Sequence, residues 1–141
     1  MEIVRAVPDA EQIADRFFSA RERALLRALP EKHRTLAFLN CWTRKEAYLK
    51  ALGNGLERPL DRFAVSLAPG EPARLIHVDG DTGETKRWSL RALAIWPHAV
   101  AALAAEGQGW QLTCRHWAEG PFAVATGCDC GPEIPNRESN A

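Results

Sequence analysis

Trp42-Thr-Arg-Lys45-Glu46-Ala-Tyr-Leu-Lys50-Ala-Leu-Gly53-Asn-Gly55-Leu56 is the stretch at which this chain stops being helical, and it divides the sequence into two kinds of structure. Into and along it Phe38, Cys41, Tyr48 and Leu52 recur at helical spacing in a stripe that Lys45 interrupts, and Leu39, Trp42 and Leu49 widen the apolar surface. Gly53 stands where a left-handed C-terminal cap is wanted, and Gly55 and Pro59 keep the chain from resuming the helix. The spacing predicts one long central helix from about Glu31 to Leu52. On it Trp42, Glu46 and Lys50 lie four apart and share a face, with a carboxylate beside an ammonium and an aromatic wall behind them. Lys45 projects from the neighbouring stripe.

Two shorter helices are expected before it. Asp9 followed by Gln12, with Ile13, Phe17 and Phe18 behind, reads as a capped start, and Ser19 with Glu22 repeats the pattern. The second of these helices carries Ala24, Leu25, Ala28 and Leu29 and stops near Pro30. Downstream the period changes. Phe63, Val65 and Leu67 alternate, Leu75, Ile76 and Val78 follow Pro72, and Gly80-Asp-Thr-Gly83 reads as a turn into Lys86-Arg-Trp88-Ser-Leu90, giving antiparallel strands joined by hairpins. The run His98–Ala105 suits helix by composition, but its place between Pro97 and Gly107 favours a buried strand, and Trp110–Trp117 reads as one more. Helices first and strands after predict an α+β domain, three helices packed on one face of an antiparallel sheet, over residues 1–117. Residues 118–141 lack periodicity and read as a flexible tail.

At 141 residues, 46% hydrophobic and 26% charged, the chain has the length and usage of one globular domain. Its 18 basic and 18 acidic side chains cancel, so no global field collects a nucleic acid. No apolar run approaches the roughly 20 residues that cross a bilayer, and the start reads as neither signal nor transit peptide, so a cytoplasmic location is expected. Four cysteines, Cys41, Cys114, Cys128 and Cys130, fit neither a disulfide framework nor paired zinc-site spacing. Reduced thiols follow from that. Taken alone, Glu46 and Lys50 are a solvated ion pair worth a few tenths of a kcal/mol.

The ordered residues say more. Trp42-x-x-Lys45-Glu46-Ala47-x-x-Lys50-Ala51-x-Gly53 resembles the signature of the 4′-phosphopantetheinyl transferases, preceded by a family-like Arg16-Phe17-Phe18-Ser19-x-x-Glu22 and followed by a family-like Gly53-x-Gly55-Leu56-x-x-Pro59-Leu60. The similarity runs over roughly residues 2 to 105. It implies Mg²⁺-dependent transfer of the 4′-phosphopantetheine arm of coenzyme A to a serine of an apo acyl, peptidyl or aryl carrier protein, releasing adenosine 3′,5′-bisphosphate. Such a displacement needs a cation on the diphosphate oxygens, a base for the serine proton and charge near the leaving group. The resemblance assigns these roles to Glu46, as metal ligand and activator of the serine, and to Lys50, near the phosphates. Lys45 matches the other signature lysine, for which a phosphate contact and a structural role both stand.

Longer members of that family consist of two similar halves, and this chain resembles the second. Near the start of that half they carry Gly-x-Asp-x-Glu, whose acidic residues bind the metal. Glu2 matches the last position, which puts the Asp one residue before Met1. The resemblance therefore implies Glu2 and Glu46 as the metal carboxylates here, and activity impaired by truncation. Shorter relatives, the holo-acyl-carrier-protein synthases, build sites between subunits, which makes a homo-oligomer a further expectation. A noncatalytic remnant that binds a carrier protein is the alternative.

Overall fold

The computed structural model describes residues 1–53, 58–93 and 97–114. The fold below belongs to the unit Met1–Trp110; of the second unit, Gln111–Ala141, the described residues 111–114 hold no regular secondary structure. Gly55, Leu56, Cys128, Cys130 and the expected tail lie outside the described residues, so the expectations placed on them stay open.

The chain is α+β. A two-residue strand β1 (Glu2–Ile3) leads into helices α1 (Ala10–Phe17), α2 (Ala20–Ala28) and α3 (Glu31–Leu52), the last with the bounds that its periodicity predicts. Then follow a 3₁₀ turn (Leu60–Arg62), β2 (Phe63–Val65), β3 (Leu75–Val78), a single-turn helix α4 (Glu84–Arg87), β4 (Trp88–Leu93) and β5 (Ala99–Glu106). His98–Ala105 is thus strand in the main, as its flanking Pro and Gly indicate. Gly53 ends α3 in the left-handed conformation at φ 72°, where a side chain would strain the backbone.

The strands form two sheets rather than one run of hairpins. One is three-stranded in the order β1-β5-β4 and the other pairs β2 with β3, all antiparallel. Gly80–Gly83 does not fold back into a β3–β4 hairpin, because the Asp81 carboxylate accepts from the backbone N–H groups of Gly83 (2.8 Å) and Glu84 (3.3 Å) and starts α4 instead. Lys86 and Arg87 are consequently helical. The expected strand at 110–117 is absent over 110–114: the chain leaves β5 through Gly107 and Gly109, at φ 91° and 76°.

Two readings of the helix starts divide. Ser19 forms the capping box, its hydroxyl accepting from Glu22 N while Glu22 Oε2 accepts from Ser19 N at 2.8 Å. Asp9 sits at the first helix's start with φ 58° and makes no side-chain cap, in keeping with a left-handed backbone where capping residues are normally extended. The buried face of α2 is also not the apolar stripe: Leu26 and Glu22 are buried, whereas Ala24, Leu25 and Ala28 are exposed. The core gathers Phe18, Phe38, Cys41, Tyr48, Phe63, Val65, Leu67, Trp88 and Leu90 around α3.

Candidate active site

α3 turns roughly 100° per residue, so its consecutive polar residues leave it in different directions. Arg44, buried, donates from Nη1 to the Ser66 carbonyl (2.8 Å) and hydroxyl (3.0 Å), and from Nη2 to the Glu71 carbonyl (3.1 Å). That fastens the 66–74 connection to the helix. Burial lowers the Arg44 pKa from its usual value, and the Glu71 carboxylate works against that shift.

Lys45 goes the other way, into the interior. Its side chain is 0% exposed and its ammonium meets Glu22 Oε2 at 2.8 Å, the Leu60 carbonyl at 2.7 Å and the Phe63 carbonyl at 2.6 Å. Three N–H groups meet three acceptors, so the structural role of this lysine is the one its geometry carries. Lys45 therefore does not interrupt the buried stripe of Phe38, Cys41 and Tyr48; it belongs to it. Glu22, equally buried, accepts in addition from Ser19 N, Ser19 Oγ and, through Oε1, from Val65 N at 2.8 Å. A buried pair of this kind persists only with its remaining hydrogen-bonding capacity filled. Beside it, burial and then the Glu22 charge push the Cys41 thiol well above the usual thiol range. Cys41 stays protonated.

One turn on, Tyr48 donates to Glu84 Oε2 at 2.5 Å and accepts from Arg58 Nη1 at 3.3 Å. Burial, followed by the hydrogen bond to Glu84, raises its pKa above the ordinary phenol value. Arg87 completes the group by donating to Glu84 Oε1.

Trp42, Glu46 and Lys50 remain. Trp42 packs edge-on to Phe17 and parallel to Phe38, half-buried. Glu46 keeps 35% of its side chain exposed and accepts from Lys50 Nζ at 3.2 Å, and Lys50 is 76% exposed. The bland i,i+4 ion pair is therefore present. It also leaves both charged groups accessible, and among the described residues neither side chain is hydrogen-bonded to another element.

Glu2 is placed by β1. β1 pairs with β5 through Glu2 and Val100, and the lining of the adjoining hollow of about 440 Å³ includes Glu2, Arg5, Val7, Phe38, Leu39 and Trp42. So the hollow joins Glu2 to Trp42, and Glu46 follows Trp42 by one turn. No group of three or more His, Cys, Asp or Glu able to hold a metal occurs among the described residues. Mg²⁺ does not need one: it characteristically takes one or two carboxylates and completes its shell with water and substrate phosphates. The accessible Glu46 carboxylate and half-buried Glu2 fit that donor chemistry.

Sequence reading missed the full role of Glu22. Its Ser19-x-x-Glu22 spacing signals a cap, but a lysine within an apolar stripe demands an anion, and that demand was the available clue to the pair. Arg44, between apolar-facing neighbours, carried no comparable signal.

The family described as the 4′-phosphopantetheinyl transferase superfamily has a profile that matches residues 1–104. The chain is similar to 4′-phosphopantetheinyl transferase HetI of Nostoc sp., with 40% identity over 117 residues, 83% of this chain and 46% of that protein. It resembles a putative 4′-phosphopantetheinyl transferase of Synechocystis sp. at 33% identity over 64% of this chain and 35% of that protein. With 4′-phosphopantetheinyl transferase Sfp of Bacillus subtilis it shares 39% identity over 48% of this chain and 30% of that protein. The chain spans less than half the length of these curated relatives. No helix among the described residues is long and apolar enough to cross a membrane.

Proposed function

The chain belongs to the 4′-phosphopantetheinyl transferase superfamily, and from that premise we propose that it transfers 4′-phosphopantetheine from coenzyme A to a serine hydroxyl of an apo carrier protein. In the step, the serine oxygen bonds to the phosphorus that bears the pantetheine arm while the diphosphate P–O bond breaks. Adenosine 3′,5′-bisphosphate leaves with the electron pair, and the serine proton passes to a base. The observation that carries this reading is the accessible Glu46–Lys50 pair beside Trp42, on a helix whose adjacent Arg44 and Lys45 are tied into the fold.

On this reading Glu46 and Glu2 hold Mg²⁺, which when bound neutralises diphosphate oxygens. Glu46 also accepts the serine proton. Lys50, exposed and on a flexible stem, swings from Glu46 to the phosphates and offsets the charge that builds on the leaving group. Trp42 walls the site. Lys45, whose donors are filled, contributes through the position of the helix rather than by touching coenzyme A.

Incubating the protein with coenzyme A, Mg²⁺ and an apo carrier protein should add one phosphopantetheine to the carrier by intact-mass measurement, and chelation of the metal should stop it. Carrier binding that is independent of Mg²⁺ and coenzyme A, with no mass added, would establish the noncatalytic carrier-binding module instead.

A further inference from the structure

Most of what packs α3 is apolar and therefore non-directional: such contacts hold a helix down without fixing its rotation about its own axis. Hydrogen bonds are different, because they weaken steeply away from line. Lys45 makes three, beside those of Arg44 to the 66–74 connection and of Tyr48 to Glu84. Its ammonium joins Glu22 of α2 to the carbonyls of Leu60, which opens the 3₁₀ turn, and Phe63, which opens β2, while Oε1 of the same Glu22 takes Val65 N of β2. One lysine thus registers α3 against α2 and the entry to β2. Glu46 is the next residue, so its direction follows from where Lys45 is seated, offset by roughly 100° of helix rotation. Among the described residues Glu46 has no tether of its own outside α3; its partner is Lys50, on the same helix.

We infer that the buried Glu22–Lys45 pair is the positioning device for Glu46 in the transfer reaction, an inference that rests on the function proposed above. A pair kept for stability alone can be replaced by uncharged groups of similar size, since neither buried charge is then left without its partner. A pair kept for the rotation of α3 cannot, because neutral replacements lose the three-way ammonium bond.

The test is Glu22→Gln/Lys45→Met in the full chain, made alone and together with Glu46→Gln. Cooperative unfolding close to the parent should persist and KM for coenzyme A should stay within about threefold, while kcat falls on the order of 10- to 100-fold, the scale of a misplaced group. Added to Glu46→Gln, the same pair of changes should cost nothing more, since groups that act through one another are not additive. Parental kcat in the folded variant, or a loss that multiplies with that of Glu46→Gln, would overturn the inference. If the double variant does not unfold cooperatively, Glu22→Asp, which keeps both charges and shortens one arm, is read in the same way. Mn²⁺ binding followed by water-proton relaxation supplies a readout free of turnover: weaker in the double variant and unchanged by it in the Glu46→Gln background. If the parent transfers nothing yet Mn²⁺ binding shows that pattern, the functional reading fails and the positioning role stands; if neither appears, both fall.

Discussion

Two lysines five residues apart on α3 have opposite lives, and side-chain environment alone separates them. Lys45 is sealed inside with three acceptors, whereas Lys50 is largely in water with one. Lys45→Met leaves the Glu22 carboxylate buried without its counter-charge, a class of change that costs about 3–5 kcal/mol. Lys50→Met removes only a solvated i,i+4 pair, worth about 0.2–0.5 kcal/mol. Urea unfolding of the two variants at unchanged m should show this contrast; equal midpoints would refute the assignment of Lys45 to the interior. At this scale the sequence was half legible. The Ser19–Glu22 box, the Gly53 cap and the shared face of Trp42, Glu46 and Lys50 follow from local spacing, and the structure has them. Asp9 does not cap, because cap chemistry depends on a backbone angle that composition leaves open. The partner of Lys45 lies 23 positions upstream, beyond the reach of any helical period.

At the scale of elements, α3 was readable because its caps and its period agree, and β5 because Pro97 and Gly107 bound it. The grouping of strands was not. One Asp81 carboxylate, accepting from two backbone N–H groups, turns an expected hairpin into α4 and sends β3 and β4 to different sheets. α4 in turn holds α3 through Glu84 and Tyr48. This contact has a pH signature. The folded-state pKa of Tyr48 is raised by burial and by Glu84, while the unfolded phenol titrates near 10. The folded state therefore keeps its proton longer, and the stabilisation is full below about pH 10 and lost as pH rises through the folded pKa. Tyr48→Phe should flatten the decline of unfolding free energy above about pH 10 relative to the parent. Parallel declines in the two proteins would place the phenol outside the buried network.

For the whole molecule, a net charge of zero leaves recognition to local surfaces rather than to a long-range field. The family was legible from three ordered motifs, and the family profile covers residues 1–104. The regions matched to the three curated relatives described above correspond to less than half of each of them. On the proposed function, chemistry concentrates on one stripe of one helix, whose first residue, Trp42, lines a hollow together with Glu2 of β1. The measurement that tests this most directly is the transfer rate of Glu46→Gln to an apo carrier protein, taken with its thermal unfolding. The variant should unfold within a degree or two of the parent, because only a half-exposed ion pair is lost. Its kcat should fall by about 10²–10⁴, the usual worth of a positioned acid–base group. A folded Glu46→Gln protein that transfers phosphopantetheine at the parental rate would contradict the account.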